Sequence, residues 1–448
     1  MTWTQLYHQY ILGAGVPLCL AVAGVYFALR LRLFPLRHPR RVWRAVMRRR
    51  TGVGISPLRA LSMALAGTLG VGNLVGVSAA IAAGGAGAVF WMWVSATLAM
   101  LLKYAETVLA VRHRRLLDGE GRGGAMYYMR DAFTGRRAWI GKVLAAVFAA
   151  LCFVDALSMG CVIQVNAMAA SCPGIPGVVM GAAVALVVFV AGLGGARTVS
   201  SWTERLVPAM TVGFVAISLI AIGQHAARIP ALLGHICSAA FTSDTAGQSV
   251  AGGVGGFLLS RALRLGTMRG LLSNEAGCGT SPMAHATAST GDAAAQGCLG
   301  MVEVFVDTHV LCTMTALVVL LAWDQVSMLG EQPMLMTLRA YEALLGPMAG
   351  GFLRLAVLCF GLATLLCWSH YAVQSCSYLV GEQGRRGRTV RVVSLWVYAA
   401  FCVVGAVSAP ASVWTVADIA IGTMTLLNVA VLCRMHREVE EASAGLMK

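Results

Sequence analysis

The stretch Gly67-Thr68-Leu69-Gly70-Val71-Gly72-Asn73-Leu74-Val75-Gly76 places four glycines inside an apolar run. A glycine in a helix interior costs about 1 kcal/mol relative to alanine, so the cluster predicts a helix that unwinds at this point. In a bilayer, unwound backbone is tolerated only beside protein, a cavity or a ligand. The stretch therefore marks a candidate binding site. Close helix packing of the GxxxG kind is the alternative, because Gly72 and Gly76 also fit that pattern.

The composition of the chain requires a membrane. Of 448 residues, 58% are hydrophobic and 12% are charged, whereas a soluble domain has about a quarter charged residues. Such a chain cannot cover itself with polar surface, which excludes a soluble enzyme, a disordered hub and a DNA-binding protein. The 13 cysteines show no CxxC or zinc-type spacing, so we expect no cofactor and read these thiols as small apolar side chains.

The apolar stretches predict an all-α polytopic membrane protein. A spanning helix needs about 20 mainly apolar residues. Eleven stretches meet that need: 9–33, 58–82, 86–111, 140–170, 177–195, 205–224, 250–268, 297–322, 349–380, 390–408 and 413–433.

The basic residues predict the orientation of these spans. When the eleven spans alternate, 31 of the 34 Lys and Arg residues fall on one side, among them Arg261, Arg264 and Arg269. Cytoplasmic loops carry the excess of Lys and Arg, so the N-terminus is expected outside and the C-terminus in the cytoplasm. The net charge of +15 then sets orientation, and we expect no nucleic-acid partner.

A second glycine cluster, Gly252-Gly253-Val254-Gly255-Gly256, opens the seventh span. The two clusters lie five spans apart, so their helices enter the membrane from opposite sides. Matched broken helices in two inverted halves are typical of secondary transporters, whose substrate binds at the breaks. We therefore expect an N-terminal helix and basic loop (1–57), two five-helix repeats (58–224 and 250–433) and a short cytoplasmic tail (434–448).

The chain resembles the alanine/glycine:cation symporter family, the sodium:alanine symporters, which have a leucine-transporter-type fold. The resemblance runs through nearly the whole chain, and the SNEAG…SPMAHA stretch is its most specific part. The matching segments are GTLGVGNLVGVSAAIAAGGAGAVFWMWV (67–94), RGGAMYYMRDAF (122–133), RGLLSNEAGCGTSPMAHATA (269–288), VFVDTHVLCTMTALV (304–318), LATLLCWSHYA (362–372) and VWTVADIAIGTMTLLN (413–428). The resemblance implies a 5+5 inverted repeat with one extra N-terminal helix.

The resemblance also implies a substrate site. The carboxylate of a small amino acid binds exposed helix-end N–H groups, and its ammonium binds oxygens; the first break offers both. Gln164 is an amide inside an apolar span, so it must face the bundle, and Trp368 would keep the pocket small. The residues expected to bind substrate are Thr68, Gly70, Gly72, Asn73, Gln164, Gly253, Gly255, Thr364 and Trp368.

A sodium ion is implied between the first break and span nine. Its ligands would be the carbonyls of Ala66, Leu69 and Phe360 with residues 363 and 364. The family has two adjacent threonines at those last positions, whereas this chain has Ala363 and Thr364. Sodium remains the expected coupling ion because four of five ligands survive; a switch to protons is the alternative.

Acidic residues inside the spans would suit the proton alternative. They are Asp155, Glu303, Asp307 and Asp418. Asp155 is expected to face away from Gln164 and pair with another helix. Glu303 and Asp307 lie four residues apart, so their carboxylates would repel each other.

The segment 269–288 is too polar to span, and we expect it to form an inner gate or intracellular helices in which His285 is structural. His113, His285, His309 and His370 form no catalytic or metal-binding pattern, so an enzyme is not expected.

The expected function is therefore symport of alanine or glycine with sodium by alternating access. The expected location is the cell membrane, which is the inner membrane in a Gram-negative cell, and the lipid bilayer is the expected partner. The alternatives are a proton-coupled small-solute symporter of the same fold and a membrane receptor that binds without transporting.

Overall fold

The computed structural model describes residues 6–47, 55–117, 120–241, 261–408 and 411–447. It is 86% helical, and the strands of this described part form one antiparallel hairpin of β1 (Arg115–Leu117) and β2 (Glu120–Arg122). The predicted all-α class is confirmed.

The α-helices follow one another with short connections. In chain order they are α1 (Val16–Arg30), α2 (Phe34–Arg37), α3 (Pro39–Met47), α4 (Pro57–Thr68), α5 (Val77–Gly84), α6 (Gly87–Arg112), α7 (Ala125–Asp131), α8 (Ala138–Leu157), α9 (Ile163–Ser171), α10 (Gly177–Leu193), α11 (Gly195–Gln224), α12 (Ile229–Ala239), α13 (Arg261–Asn274), α14 (Pro282–His285), α15 (Ala293–Val304), α16 (Thr313–Leu321), α17 (Trp323–Val326), α18 (Pro333–Leu345), α19 (Pro347–Val380), α20 (Gly384–Val407), α21 (Ala411–Arg434) and α22 (His436–Met447). Four π-helical segments lead directly into α1, α5, α9 and α16: Tyr7–Gly15, Gly72–Gly76, Ser158–Val162 and Phe305–Cys312. Short 3-10 turns occupy Gly135–Arg137, Ala226–Arg228 and Ser327–Leu329.

Within the described residues, eight helical stretches are long and apolar enough to cross a membrane, or nine if α4 and the helix Gly72–Gly84, bent by 51°, form one span. These nine coincide with nine of the eleven predicted spans. Helix α10 is apolar but has only 17 residues, and most of the predicted span 250–268 falls outside the described residues. The structure supports a polytopic membrane protein without confirming the number eleven.

Contacts between helix ends define two faces of the bundle. One side of the bundle, which contains Tyr7, is called the N-terminal face. There the Tyr7 hydroxyl lies 3.1 Å from the Ile419 carbonyl oxygen of α21. The Trp91 indole N–H donates to the Ala240 carbonyl at the same face. The opposite side is the C-terminal face, where ion pairs join the helix ends. They include Arg59–Glu204 at 2.5 Å, Arg391–Glu120 at 3.4 Å and Arg30–Glu440 at 3.7 Å.

The broken helix of α4 and α5 occupies the interior. Helix α4 packs against α11 and α19, and α5 packs against α13. On the outside of the bundle, α10 and α20 pack together and expose large apolar side chains such as Leu186, Val190, Val393 and Trp396. An apolar surface of this kind requires lipid around it.

The predicted side of Arg261, Arg264 and Arg269 is wrong. Helix α13 begins at the N-terminal face: the Ala262 Cα lies 3.5 Å from the place that a Cβ on Gly84 would take, and Arg264 Nη1 lies 3.7 Å from the same place on Gly13. The helix then runs into the bundle as far as Asn274. The predicted span 250–268 ended where the polar stretch 269–288 begins, but an arginine is tolerated inside a bundle where it lines a cavity.

Two further predictions need correction. Residues 273–288, expected as an inner gate or intracellular helices, are buried inside the bundle. Lys103 was one of the 31 basic residues expected on one side of the membrane, yet it lies within α6 and is fully buried. Both differences have one cause, because these polar groups are paired with one another in the interior.

Candidate functional site

The first helix break lies where it was predicted, between α4 and the segment Gly72–Gly76. Four of the five amides from Leu69 to Asn73 donate hydrogen bonds within the protein. The bonds are Leu69 to the Leu65 carbonyl (2.7 Å), Gly70 to the Thr68 carbonyl (2.8 Å), Val71 to Gln164 Oε1 (3.1 Å) and Asn73 to the Gly70 carbonyl (3.3 Å). Gly72 faces open space, since a Cβ there would meet no atom within 4 Å. The break therefore offers few free donors to a ligand.

Two carbonyls at the break lose the donor that a regular helix would supply. The Gly70 amide, four residues after Ala66, bonds to Thr68 instead, and the Asn73 amide, four residues after Leu69, bonds to Gly70. The carbonyl oxygens of Ala66 and Leu69 are thus released from the helical ladder. These are the two oxygens that the resemblance assigned to sodium.

Gln164 holds the break from the opposite helix. It follows the π-helical segment Ser158–Val162 and is buried. Its Oε1 accepts from the Val71 amide at 3.1 Å, and its Nε2 donates to the Met159 carbonyl at 3.3 Å. Both ends of the side-chain amide are therefore fixed by backbone groups next to the cavity described below.

Thr364 and Trp368 lie on α19 beneath the break. The Thr364 hydroxyl donates to the Phe360 carbonyl at 3.0 Å, and a Cβ on Gly70 would lie 2.9 Å from its oxygen. The Trp368 indole N–H donates to the Gly67 carbonyl at 3.2 Å. Its ring lies against Gly160, where an added Cβ would come within 2.5 Å.

The predicted contact residues separate into two groups. Gly72 and Gln164 line the cavity, whereas Thr68, Thr364 and Trp368 are buried outside its lining. The hydroxyl of Thr68 lies 3.4 Å from the Leu65 carbonyl of its own helix, and Ala363 is buried and brings no side-chain oxygen. Gly253 and Gly255 lie outside the described residues.

A cavity of about 510 Å³ lies beside the break, toward the N-terminal face. Its walls come from the broken helix, the region around the Ser158–Val162 π-helical segment, α13, the start of α18 and the start of α21. The lining residues are Val71, Gly72, Val75, Gly76, Ala79, Met159, Ile163, Gln164, Asn166, Ala167, Ala170, Arg269, Ser273, Gln332, Pro333, Met334, Leu335, Leu338 and Trp414. A concave and mostly apolar space with a few polar groups is typical of a small-molecule site.

Asn73 is part of a polar cluster that joins the broken helix to the Phe305–Cys312 segment. Its amide nitrogen donates to Asp307 Oδ1 at 2.6 Å. The other carboxyl oxygen of Asp307 accepts from Ser273 at 2.7 Å and from Thr308 at 2.8 Å. The amide nitrogen of Asn73 is therefore held by Asp307, whereas its Oδ1 has no hydrogen-bond partner among the described residues.

A second helix break follows α13, at residues 275–281, whereas the predicted glycine cluster 252–256 lies outside the described residues. Gly277 and Gly279 have φ angles of 84° and 82°, a backbone conformation that glycine adopts without strain. The Gly279 amide donates to Glu106 Oε1 at 3.0 Å, and the Gly277 carbonyl accepts from Asn428 Nδ2 at 3.0 Å. Side chains from α6 and α21 thus replace the missing helical bonds.

Sequence reasoning missed Lys103, Glu106 and Asn428. All three are fully buried, and Asn428 donates to Glu106 at 2.5 Å. The signal that could have found the first two is a Lys and a Glu three residues apart within an apolar span, since such residues place their side chains on one helix face.

Glu303 belongs to this buried polar region. Lys103 Nζ lies 3.6 Å from Glu303 Oε1 and donates to the Ser281 hydroxyl at 2.6 Å. His285 Nε2 lies 2.9 Å from Glu303 Oε2, and His285 Nδ1 lies 2.8 Å from Gln296 Nε2. The structural role predicted for His285 is thus supported by its contacts. Glu303 and Asp307 have separate sets of partners, so the predicted repulsion does not govern either one.

Asp155 departs from its prediction. It is fully buried in α8, and neither carboxyl oxygen has a hydrogen-bond partner among the described residues. The expected pairing with another helix is therefore not formed within that part of the chain. Asp418 near the N-terminal face lies 3.7 Å from His8 Nδ1.

Sequence comparison places the chain among transporters. The pattern of a family described as the sodium:alanine symporter family matches residues 1–445. The chain belongs to this family. It is therefore a membrane transport protein of the amino-acid symporter kind and not an enzyme.

Named relatives agree with this membership. A sodium/alanine symporter, AgcS, of Methanococcus maripaludis is 32% identical over 94% of this chain and 91% of its own length. A probable sodium/glutamine symporter, GlnT, of Bacillus subtilis is 31% identical over 93% of this chain and 84% of its own length.

A solved structure shares the fold. The crystal structure of a manganese transporter from Eremococcus coleocola, in complex with an aromatic bis-isothiourea substituted compound, superposes with a TM-score of 0.52. The match covers 87% of this chain and 79% of that one at 14% identity, so it supports the transporter fold alone.

Proposed function

We propose that the protein carries alanine or glycine into the cell together with sodium. The observation that carries this proposal is the polar wall where Gly72 of the broken helix and Gln164 meet the cavity. A broken helix beside a cavity, in a chain of this family, supports binding of the substrate there. The sodium/alanine name of one relative supports the substrate class and the ion.

The transport mechanism we propose is alternating access. The cavity lies toward the N-terminal face, whereas ion pairs such as Arg59–Glu204 and Arg391–Glu120 tie the C-terminal face together. Helices α4 and α13 carry the two breaks and begin at opposite faces, which supports an inverted pair of repeats. We propose that the N-terminal face is extracellular, because the basic segment 34–47 follows α1 at the other face, where Arg30 pairs with Glu440.

We propose that sodium binds between the first break and α19. Its ligands would be the carbonyls of Ala66, Leu69 and Phe360 and the hydroxyl of Thr364, and Ala363 would leave one position for water. The release of the Ala66 and Leu69 carbonyls from the helical ladder supports this site. Sodium is a hard cation that prefers such oxygens.

Proton coupling is the second candidate. It is favoured by Asp155, whose buried carboxyl has no hydrogen-bond partner among the described residues. A charged carboxylate in that setting would be costly, so a bound proton would stabilise it.

Uptake by proteoliposomes tests the function. Labelled alanine and glycine should accumulate when an inward sodium gradient is imposed and should not when potassium replaces sodium. Uptake that is driven by an inward proton gradient without sodium, and that is lost in Asp155→Asn, would show that protons are the coupling ion. No accumulation of either amino acid under either gradient would reject the proposed function.

A further inference from the structure

We propose that a cavity between α1, α6 and α13 binds one acyl chain of an anionic phospholipid, whose phosphate pairs with Arg264. This space, called the α1 cavity, has a volume of about 240 Å³. It shares no lining residue with the cavity beside the first break among the residues that the structure describes. The lipid site is therefore separate from the proposed substrate site.

The shape of the α1 cavity fits a single lipid tail. Along α1 and the π-helical segment before it, the cavity runs from Gly13 to Ala21, which is about 12 Å at a rise of 1.5 Å per residue. The hydrocarbon layer of one leaflet is about 15 Å thick. Beyond Ala21 the helices close together, because a Cβ on Gly24 would lie 2.8 Å from the Leu98 Cβ. Leu18 lines the cavity and is 57% exposed, so the cavity opens on the outside of the bundle.

Close packing of α13 on α6 fixes one wall of the α1 cavity. A Cβ on Gly266 would collide with the Ala88 carbonyl oxygen, and a Cβ on Gly270 would lie 2.8 Å from the Ser95 hydroxyl. The adjacent face of α13, which includes Leu263, lines the cavity. An empty space here would deprive its lining of dispersion contacts, so an occupant that fills it stabilises the protein.

The polar side chains along the walls leave little for a polar ligand. The Ser95 hydroxyl donates to the Met92 carbonyl at 3.0 Å. The Asn274 amide nitrogen donates to the Thr308 hydroxyl at 3.1 Å, and its oxygen accepts from the Ala276 amide at 3.0 Å. Apart from one threonine, the other described lining residues are apolar. Because an apolar cavity stays free of water, hydrocarbon is the occupant that it favours.

Arg264 lies at the end of the α1 cavity that is nearest the N-terminal face. Its Nη1 is 3.7 Å from the place that a Cβ on Gly13 would take, and Gly13 is the first described lining residue in the chain. The Arg264 Nε is buried and has no hydrogen-bond partner among the described residues, and no carboxylate of that part of the chain forms an ion pair with it. A half-buried cation is costly unless an anion joins it. The position suits the phosphate of a lipid whose tail occupies the cavity.

An anionic phospholipid meets both requirements. A guanidinium offers a planar fork of donors that matches phosphate oxygens. In phosphatidylglycerol the phosphate gives the headgroup a net negative charge, whereas in phosphatidylcholine a quaternary ammonium offsets that charge. Arg264 therefore favours phosphatidylglycerol, while the apolar cavity contacts the tails of both lipids equally. Two such lipids with identical chains are a matched pair of probes.

Photo-crosslinking of the detergent-purified full-length protein tests the proposal. The probe is phosphatidylglycerol with a diazirine in one acyl chain, and the measured quantity is the yield of crosslinks to residues 13–21. Unlabelled phosphatidylglycerol should displace the probe at about five-fold lower concentration than phosphatidylcholine with the same chains, which is the usual effect of one basic residue near an anionic lipid surface. Arg264→Gln should abolish this preference. Arg228→Gln is the matched control and should keep it, because Arg228 is exposed and does not line the cavity.

A second pair of variants tests the place of the tail. Ala21→Phe puts a ring at the deep end of the α1 cavity, so it should lower the yield of crosslinks to residues 13–21. Val22→Phe adds the same ring at the next residue, which is exposed on α1 and does not line the cavity, and should keep the wild-type yield.

Several outcomes would overturn the inference. The wild type contradicts it if residues 13–21 are not crosslinked, or if the two unlabelled lipids displace the probe equally. An unchanged lipid preference in Arg264→Gln, or equal yields from Ala21→Phe and Val22→Phe, would also reject it. Displacement by inorganic phosphate as effective as that by phosphatidylglycerol would show that Arg264 binds a free anion instead of a lipid. If Arg264→Gln does not fold, the comparison of the two lipids in the wild type decides.

Discussion

Gly70 stands where the first helix break, Gln164 and Thr364 come together. A Cβ at this residue would lie 2.9 Å from the Thr364 hydroxyl and 3.0 Å from Gln164 Oε1, whereas a Cβ on Gly72 would meet nothing within 4 Å. Overpacking of a tight site costs about 1–3 kcal/mol, so we expect Gly70→Ala to reduce uptake about 5- to 150-fold. Gly351→Ala is the matched control and should retain most uptake of glycine, because a Cβ there would also meet nothing within 4 Å and Gly351 does not line the cavity. Equal uptake by the two variants in proteoliposomes would contradict this account of the break.

Thr364 is the side chain by which the proposed sodium site is best tested. Its hydroxyl lies next to Gly70 and donates to the Phe360 carbonyl. Because residue 363 is alanine, the site has no second hydroxyl to compensate. We expect Thr364→Ala to abolish the stimulation of uptake by sodium, Thr364→Ser to keep it, and Asp155→Asn to leave it largely intact. Normal stimulation of uptake by sodium in Thr364→Ala would show that Thr364 is not a sodium ligand.

Trp368 shows what a sequence cannot give at this scale. Its position on α19 beneath the break agrees with the prediction, but the ring packs on Gly160 and the indole donates to Gly67. Whether a side chain lines a cavity depends on the local bend of neighbouring helices. Here the π-helical segment Ser158–Val162 sets the path of that neighbour, and nothing in the sequence predicted the segment.

At the scale of elements, the first break was predictable, and the break at 275–281 was not predicted from the sequence. Glycines in an apolar run revealed the break at 69–71. The second break depends on Asn428 and Glu106, which are 322 residues apart in sequence and bond to the unwound backbone. Glycine spacing pointed to 252–256, which lies outside the described residues. Tertiary partners decide where a buried helix can unwind, because they must satisfy its free backbone groups.

The pairing of α6 with α15 gives an element-scale prediction. Lys103 and Glu303 are both fully buried and 3.6 Å apart. Removing one partner of such a pair leaves a buried charge and costs about 3–5 kcal/mol. We expect Lys103→Met to lower the melting temperature of the detergent-purified protein strongly and Lys103→Met/Glu303→Gln to recover part of the loss. Lys142→Met is the control, because Lys142 is exposed. Equal melting temperatures for the Lys103 and Lys142 variants would show that the pair does not stabilise the fold.

At the scale of the whole molecule, hydropathy and charge predicted most of the architecture. Nine spans follow from the apolar stretches, because a bilayer requires helices of about 20 apolar residues. The family follows from the sequence motifs. The side of α13 did not follow, since the charge count treats every arginine as a solvent-exposed loop residue. Arg269 lies instead at a cavity that polar residues such as Gln164 and Ser273 also line.

The orientation of the molecule can be tested with a cysteine that is already present. Cys237 is exposed on α12, next to the contacts that Ala239 and Ala240 make at the N-terminal face. If that face is extracellular, a membrane-impermeant maleimide should label Cys237 in intact cells, and Cys237→Ser should abolish the labelling. Arg44→Cys, in a background whose native cysteines are replaced, should react only after permeabilisation, because α3 belongs to the basic segment expected inside. Labelling of Arg44→Cys in sealed cells, together with protection of Cys237, would show that the protein has the opposite orientation. The cavity would then lie toward the cytoplasm.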